Sequence, residues 1–218
     1  MDKILKKESG LEVVIHRTYQ HFYQKKWFNA TGGGMAIKKE GFVYFIPSYF
    51  NEQLPDSTNV KKIAIVDIPT NIDMCSGIFP LPDGFSTVVH THSVASIRAA
   101  NYWGKKYFKS FCFKKNHITK NLDGIIGAKA SGSAGDENLE VPIIEKNNFD
   151  DIVNAATVGS NVNSVLVEDH GLYVFGETWQ QAKVTCETLE FLFELELELE
   201  LTKKPEAETK QFALLQGL

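Results

Sequence analysis

Within residues 86–103, STVVHTHSVASIRAANYW, the hydrophobic period changes in mid-run. STVVHTHS reads as a strand, and SVASIRAANYW reads as a helix for which Ser93 supplies an N-cap. Side chains at i and i+2 of a strand leave the same face, so His90 and His92 are aimed together where strand gives way to helix. A fold that accommodates this junction must bring a strand end, a helix start and two imidazoles to one spot.

The other segments supply a sheet around it. Residues 11–28 carry Val14, Tyr19 or His21, Phe22 and Trp27 on roughly one helical stripe, and NATGGG at 29–34 then breaks the pattern. MAIKK and FVYFIPS form a hairpin about Lys39-Glu40-Gly41, and residues 63–68 form another strand. VPIIE is a short buried strand, and residues 149–158 read as a helix. SVLVEDHGLYVFG is strand, turn and strand, and a helix starts at Glu177. Strands and helices intermingle without strict βαβ alternation, which predicts one layered α/β or α+β domain with mostly antiparallel pairing. At the tail, FELELELEL alternates with period 2, but Glu and Leu are strong helix formers and no breaker intervenes, so helix is expected. That helix would spread its leucines around its surface, as an oligomer contact or as a low-complexity run in a tolerant terminus.

His170, in Glu168-Asp169-His170-Gly171, sits at a turn between two strands and can join His90 and His92. Three histidines with an open fourth position make a catalytic rather than a closed structural zinc site; three unrelated histidines are the alternative. His16 and His21, at i and i+5 on the first helix, lack a ligand spacing, and His117 stands alone in a lysine-rich stretch. Gly32, Gly33 and Gly34 follow Thr31 in neither a Walker nor a GxGxxG pattern. Consecutive glycines let backbone amides approach an anion, and they also make a plain connector. Ser48, after Ile46-Pro47, adds a hydroxyl donor.

The chain has 218 residues, with 23 Lys+Arg against 27 Asp+Glu, a formal balance of −4. This acidic balance argues against a general nucleic-acid partner. The charge is unevenly spread: between Asp83 and Asp123 there is no acid, while Arg98, Lys105, Lys106, Lys109, Lys114, Lys115 and Lys120 fall there. Such a basic stretch either steers an anionic substrate or forms a solvated lysine face. No apolar run is long enough to span a bilayer, and residues 1–10 lack a signal-peptide core. Cys75, Cys112 and Cys186 are widely spaced, which fits reduced thiols in the cytoplasm.

Taken in order, TGGG, IPS, HTHS, VPIIE and DHGLYVFGETW resemble the class II aldolase/adducin superfamily. VPIIE and the His-Gly block are similar to its methylthioribulose-1-phosphate dehydratase branch. The resemblance runs from about His21 to Phe193. It implies a three-layer α/β/α sandwich with a mostly antiparallel central sheet, in a homotetramer with active sites near subunit boundaries. It further implies one Zn2+ per subunit on His90, His92 and His170, and a phosphorylated ketose substrate whose phosphate lies around Thr31, Gly32, Gly33, Gly34 and Ser48. The implied reaction is a dehydration; phosphosugar aldol cleavage and a catalytically weakened adducin-like role are the alternatives. The branch carries a catalytic glutamate about two dozen residues beyond the HxH. Straight counting puts Lys114 there, and matching the apolar pattern of HITKNL puts His117 there. His117 is preferred because imidazole titrates near neutrality, with Asp123 as the nearest carboxylate and Lys120 as a further candidate. Cys75 is similar to a substrate-pocket cysteine of the branch, while Ala36 and Tyr49 replace a serine and a glycine of its pattern.

Overall fold

The computed structural model describes residues 10–29, 32–46, 60–68, 81–106, 110–114, 138–145, 148–160 and 162–202. In chain order the elements are α1 (Leu11–Gln24), β1 (Gly34–Lys39), β2 (Phe42–Phe45), β3 (Lys61–Ala64), β4 (Thr87–Thr91) and α2 (Val94–Lys106). There follow β5 (Ser110–Lys114), β6 (Asn138–Ile144), α3 (Phe149–Thr157), β7 (Ser164–Val167), β8 (Gly171–Gly176) and α4 (Trp179–Thr202). The strands form one sheet in the order β3-β2-β1-β4-β8-β7-β6-β5. Every pairing is antiparallel except β6 with β7.

Strand alternation sorts the core into two layers. Met35, Ile37, Val89, Leu172 and Val174 face one side and pack with α1, α2 and α4. Ala36, Val88, Val165, Val167, Tyr173 and Phe175 face the other and pack with Ile152 and Ala156 of α3. The result is the expected α/β/α sandwich. Because β4 alternates too, His90 falls on the face of Val88, towards α3, and Thr91 on the face of Val89, towards α4.

Glu40 and Gly41 form the two-residue β1–β2 turn with φ of 52° and 81°, the paired left-handed conformation of a type I′ hairpin. At the start of α2, Ser93 Oγ accepts the Ser96 backbone N–H at 2.8 Å, the anticipated N-cap. α3 ends at Thr157, one residue short of the expected span, and its N-cap is Asn148, whose side chain accepts the Asp151 N–H.

Three spans need correction. α1 stops at Gln24, and its buried stripe is Ile15, Thr18, Tyr19 and Phe22. Lys26 takes φ 61°, Trp27 N–H reaches Phe22 C=O at 2.9 Å and Lys26 N–H reaches Tyr23 C=O at 2.9 Å. That is a Schellman ending with lysine in the place usually held by glycine. The strand expected over 63–68 is β3, which ends at Ala64 because its partner β2 begins at Phe42; Ile65–Asp67 turn into a 3-10 helix instead. The strand around VPIIE begins earlier, at Asn138, pairing with the unanticipated β5.

The tail is helical, as expected, with α4 running from Trp179, two residues after Glu177, to Thr202. Leu197 is buried, whereas Leu199 and Leu201 are exposed. Among the described residues, no helix is long and apolar enough to cross a membrane.

Candidate metal centre

Two separate pieces of chain bring the histidines together. β4 delivers His90, the residue just beyond its end delivers His92, and the turn between β7 and β8 delivers His170. One ring nitrogen from each lies within 4.8 Å of the others. Nitrogens around a tetrahedral zinc are about 3.4 Å apart for bonds near 2.05 Å, a difference that small side-chain rotations cover. Neutral imidazole nitrogens in a three-membered set suit a borderline-soft divalent ion. The donor set therefore fits the metal that the motif implies.

Two of the rings are held from outside the cluster, and the third through its backbone. The Leu172 carbonyl lies 2.9 Å from His90 Nδ1. A carbonyl only accepts, so Nδ1 carries the proton and Nε2 keeps its lone pair, as a ligating histidine usually does. Tyr173, directly across the ladder, stacks on His90 with centroids 3.8 Å apart and planes at 6°. Its hydroxyl reaches His170 Nε2 at 2.9 Å, so one tyrosine orients two of the rings.

His92 lies beyond the ladder, and the chain after α1 fixes it. Its backbone N–H donates to Trp27 C=O at 2.8 Å, and its C=O accepts from Asn29 Nδ2 at 3.0 Å. The Schellman turn sets where Trp27 and Asn29 stand, so the end of α1 is part of the site. Burial, reinforced by His92 and His170, holds His90 well below the ordinary imidazole range against the opposing Leu172 hydrogen bond. Burial and then His170 bring His92 down to about 4. Both rings are neutral at pH 7, as metal ligation requires.

The glycine loop touches the same centre. A Cβ on Gly32 would meet the His92 ring at 2.5–2.9 Å, and Gly32 has φ +150°. Gly33, at φ +96°, lies against Phe28 and the Trp27 carbonyl. Gly34 begins β1 as the ladder partner of His90. On the far side, Gly171 (φ +132°) lies so close to the Thr91 carbonyl that any side chain would collide with it. The glycines are thus needed for the close approach of two loops to the HTHS segment.

The structure brings His90, His92, His170 and Gly32–Gly34 together. Thr31, Ser48, Cys75, His117, Lys120 and Asp123 lie outside the described residues, as does the Lys114 side chain. In the basic stretch, the described side chains of Arg98 and Lys105 are exposed. His21, which lacks a ligand spacing in the sequence, faces Glu187 of α4 at 3.0 Å.

Sequence reasoning missed Tyr173, Asn29 and Glu190. Glu190 is fully buried, and its two carboxylate oxygens accept from the hydroxyls of Thr91 and Ser93. It occupies the core stripe of α4 formed by Ala182, Cys186, Leu189, Phe193 and Leu197. A charged residue in that register was the available signal, hidden by the glutamate-rich run that follows.

The sequence profile described as "Class II Aldolase and Adducin N-terminal domain" matches residues 13–197. The chain belongs to the class II aldolase and adducin family, the one its motif blocks resemble. Among its relatives, methylthioribulose-1-phosphate dehydratase of Xenopus tropicalis is 30% identical over 208 residues, covering 85% of this chain and 83% of that protein. The protein of the same name from Uncinocarpus reesii is 28% identical over 208 residues, covering 85% and 86%. The crystal structure of L-fuculose-1-phosphate aldolase from Thermus thermophilus shares the fold, with a TM-score of 0.59 at 12% identity over 87% of this chain and 96% of that one.

Proposed function

We propose that this chain is a metal-dependent hydro-lyase that dehydrates 5-methylthioribulose 1-phosphate to a diketo-phosphopentane, a methionine-salvage step. The observation that carries the reading is the convergence of His90, His92 and His170 beside Gly32–Gly34. The name shared by the relatives supplies the substrate.

In this reading His90, His92 and His170 hold one zinc ion per subunit. When bound, the ion is a Lewis acid that polarises substrate oxygens and acidifies the neighbouring C–H. The chain's own residues do the rest. Backbone amides around Thr31–Gly34, with the Ser48 hydroxyl, bind the phosphate, and Cys75 lines the pocket. The dehydration takes a proton from the carbon beside the carbonyl and hydroxide from the next carbon, so one water leaves per turnover. His117 accepts that proton and returns one to the departing hydroxyl, with Asp123 or Lys120 as the alternative candidates for this role. The enzyme works in the cytoplasm as a homotetramer.

The deciding experiment is a product assay of the purified protein with methylthioribulose 1-phosphate, run beside fuculose 1-phosphate and rhamnulose 1-phosphate. Loss of one water from the first substrate alone is the expected result. Carbon–carbon cleavage of the others would replace the dehydratase with an aldolase. Turnover of none would leave a binding role.

A further inference from the structure

The HTHS segment has a second side. His90 faces the α3 layer, whereas Thr91 points to α4, where Glu190 meets it. The Glu190 carboxylate spans His92: Oε1 accepts from Thr91 Oγ1, the residue before, and Oε2 accepts from Ser93 Oγ, the residue after. Ser93 in turn caps α2 through Ser96 N–H at 2.8 Å, and Ser96 Oγ lies 3.2 Å from Ser93 C=O. One carboxylate therefore ties together the end of β4, the backbone around His92 and the first turn of α2.

A carboxylate is a costly way to do this. Glu190 is 0% exposed. Among the described residues its hydrogen-bond partners are two hydroxyls, with no lysine or arginine paired to it. A buried acid without a cation is destabilising relative to an apolar residue of similar size. The Glu190 position lies between Leu189 and Phe193 on a stripe that is apolar apart from Thr185, where leucine would satisfy packing alone. Packing of the stripe alone does not account for it. A fixed negative group behind a cluster of neutral imidazoles, with bonds to both neighbours of one of them, fits a site that receives a cation. Burial raises the Glu190 pKa to about 7, opposed by the bonds from Ser93 and Thr91. A cation nearby would favour the ionised form.

We propose that Glu190 is a positioning residue of the metal centre, holding His92 in place through Thr91 and Ser93 and supplying a buried negative charge behind the ligand cluster. The proposal rests on the reading of His90, His92 and His170 as metal ligands.

The test is metal affinity, measured by competition of the full-length protein with a chromophoric chelator for zinc. The cobalt-substituted protein supplies a visible spectrum. Glu190→Gln keeps the size of the side chain and removes its charge. It is expected to bind zinc about 10- to 100-fold more weakly, in the range of lost outer-shell partners, and to alter the cobalt spectrum. The metal-free variant at pH 8 is expected to be no less stable than wild type. Thr91→Val and Ser93→Ala read the same contact from the other side and serve if Glu190→Gln does not fold. Each should weaken zinc binding, and each combined with Glu190→Gln should lose less than the sum of the separate effects. Zinc affinity within twofold of wild type in Glu190→Gln, or in both hydroxyl variants where it does not fold, would overturn the proposal. So would a variant that is less stable without metal yet binds zinc normally, which is a purely structural role. Wild-type protein that binds no zinc, or binds it equally well as His92→Ala, would instead overturn the three-histidine reading and the proposal with it.

Discussion

Asn101 and Asp169 hold each other at two points. The Asn101 amide donates to the Asp169 carboxylate at 2.6 Å, and its carbonyl accepts the Asp169 backbone N–H at 3.0 Å. Asp169 is in the left-handed region at φ 56° and immediately precedes His170. The middle of α2 thus pins the turn that carries the third histidine, although 68 residues separate the pair in sequence.

Asn101→Ala removes both contacts from a solvent-facing turn. The expected cost is about 1 kcal/mol in urea unfolding of the metal-free protein, with a several-fold weaker hold on zinc. Asn101→Asp should be worse than alanine, because it sets a second carboxylate against Asp169. Equal zinc affinity in both variants would separate this clasp from the metal centre.

Gly32→Ala tests whether the glycine loop serves His92. The new methyl group would stand 2.5–2.9 Å from the imidazole atoms, at a φ of +150° that alanine rarely adopts. The ring is the movable partner, so the fold is expected to survive with about 1–3 kcal/mol of strain, while stoichiometric zinc binding is lost. Inductively coupled plasma analysis of the dialysed protein, with circular dichroism as the control, reads both quantities. A folded Gly32→Ala protein with full zinc would show that the loop approaches His92 without constraining it.

These contacts divide what sequence could and could not disclose. The HTHS and EDHG segments were readable because alternation and turn chemistry are local, although His92 falls just past the end of β4 and is fixed by Trp27 and Asn29 rather than by strand pairing. The end of α1 was not readable, because Lys26 stands where glycine would have announced a Schellman turn. The end of β3 was not either, since a strand stops where its partner's backbone stops, and that depends on sheet order. The Tyr173 stack on His90 follows from β4–β8 register, and the Asn101 clasp from the packing of α2 on a turn; neither has a local signature. Glu190 had one, a charge in an apolar stripe, but the alternating glutamates after it made it look like surface.

Metal should stabilise this fold well beyond the site itself, because the ligands come from β4 with the loop beyond it and from the β7–β8 turn. A ligand present at a thousandfold excess over its Kd adds about 4 kcal/mol. Zinc added to chelator-treated protein should raise Tm by several degrees, and His90→Ala, His92→Ala and His170→Ala should each abolish the rise. A zinc response retained in His170→Ala would remove the β7–β8 turn from the ligand set.

The pH dependence of the metal-free protein should carry the mark of Glu190. Its pKa is ordinarily near 4.5 and is raised to about 7 by burial, with the neighbouring Glu194 adding to the rise. Between these values the folded state holds a proton that the unfolded state has released. The acid's contribution is therefore intact below about pH 4.5 and is lost as pH rises towards 7. His90 and His92 act in the opposite sense: their depressed pKa values favour the fold above the ordinary imidazole range and weaken it as the solution is acidified. Both histidines are present in wild type and in Glu190→Gln, so subtracting one stability profile from the other isolates the carboxylate. Glu190→Gln should gain about 3 kcal/mol relative to wild type between pH 4.5 and 8, read by denaturant unfolding with chelator present. A flat difference across that range would mean that Glu190 titrates like an exposed acid, and a falling one would mean that its bonds to Thr91 and Ser93 outweigh its burial.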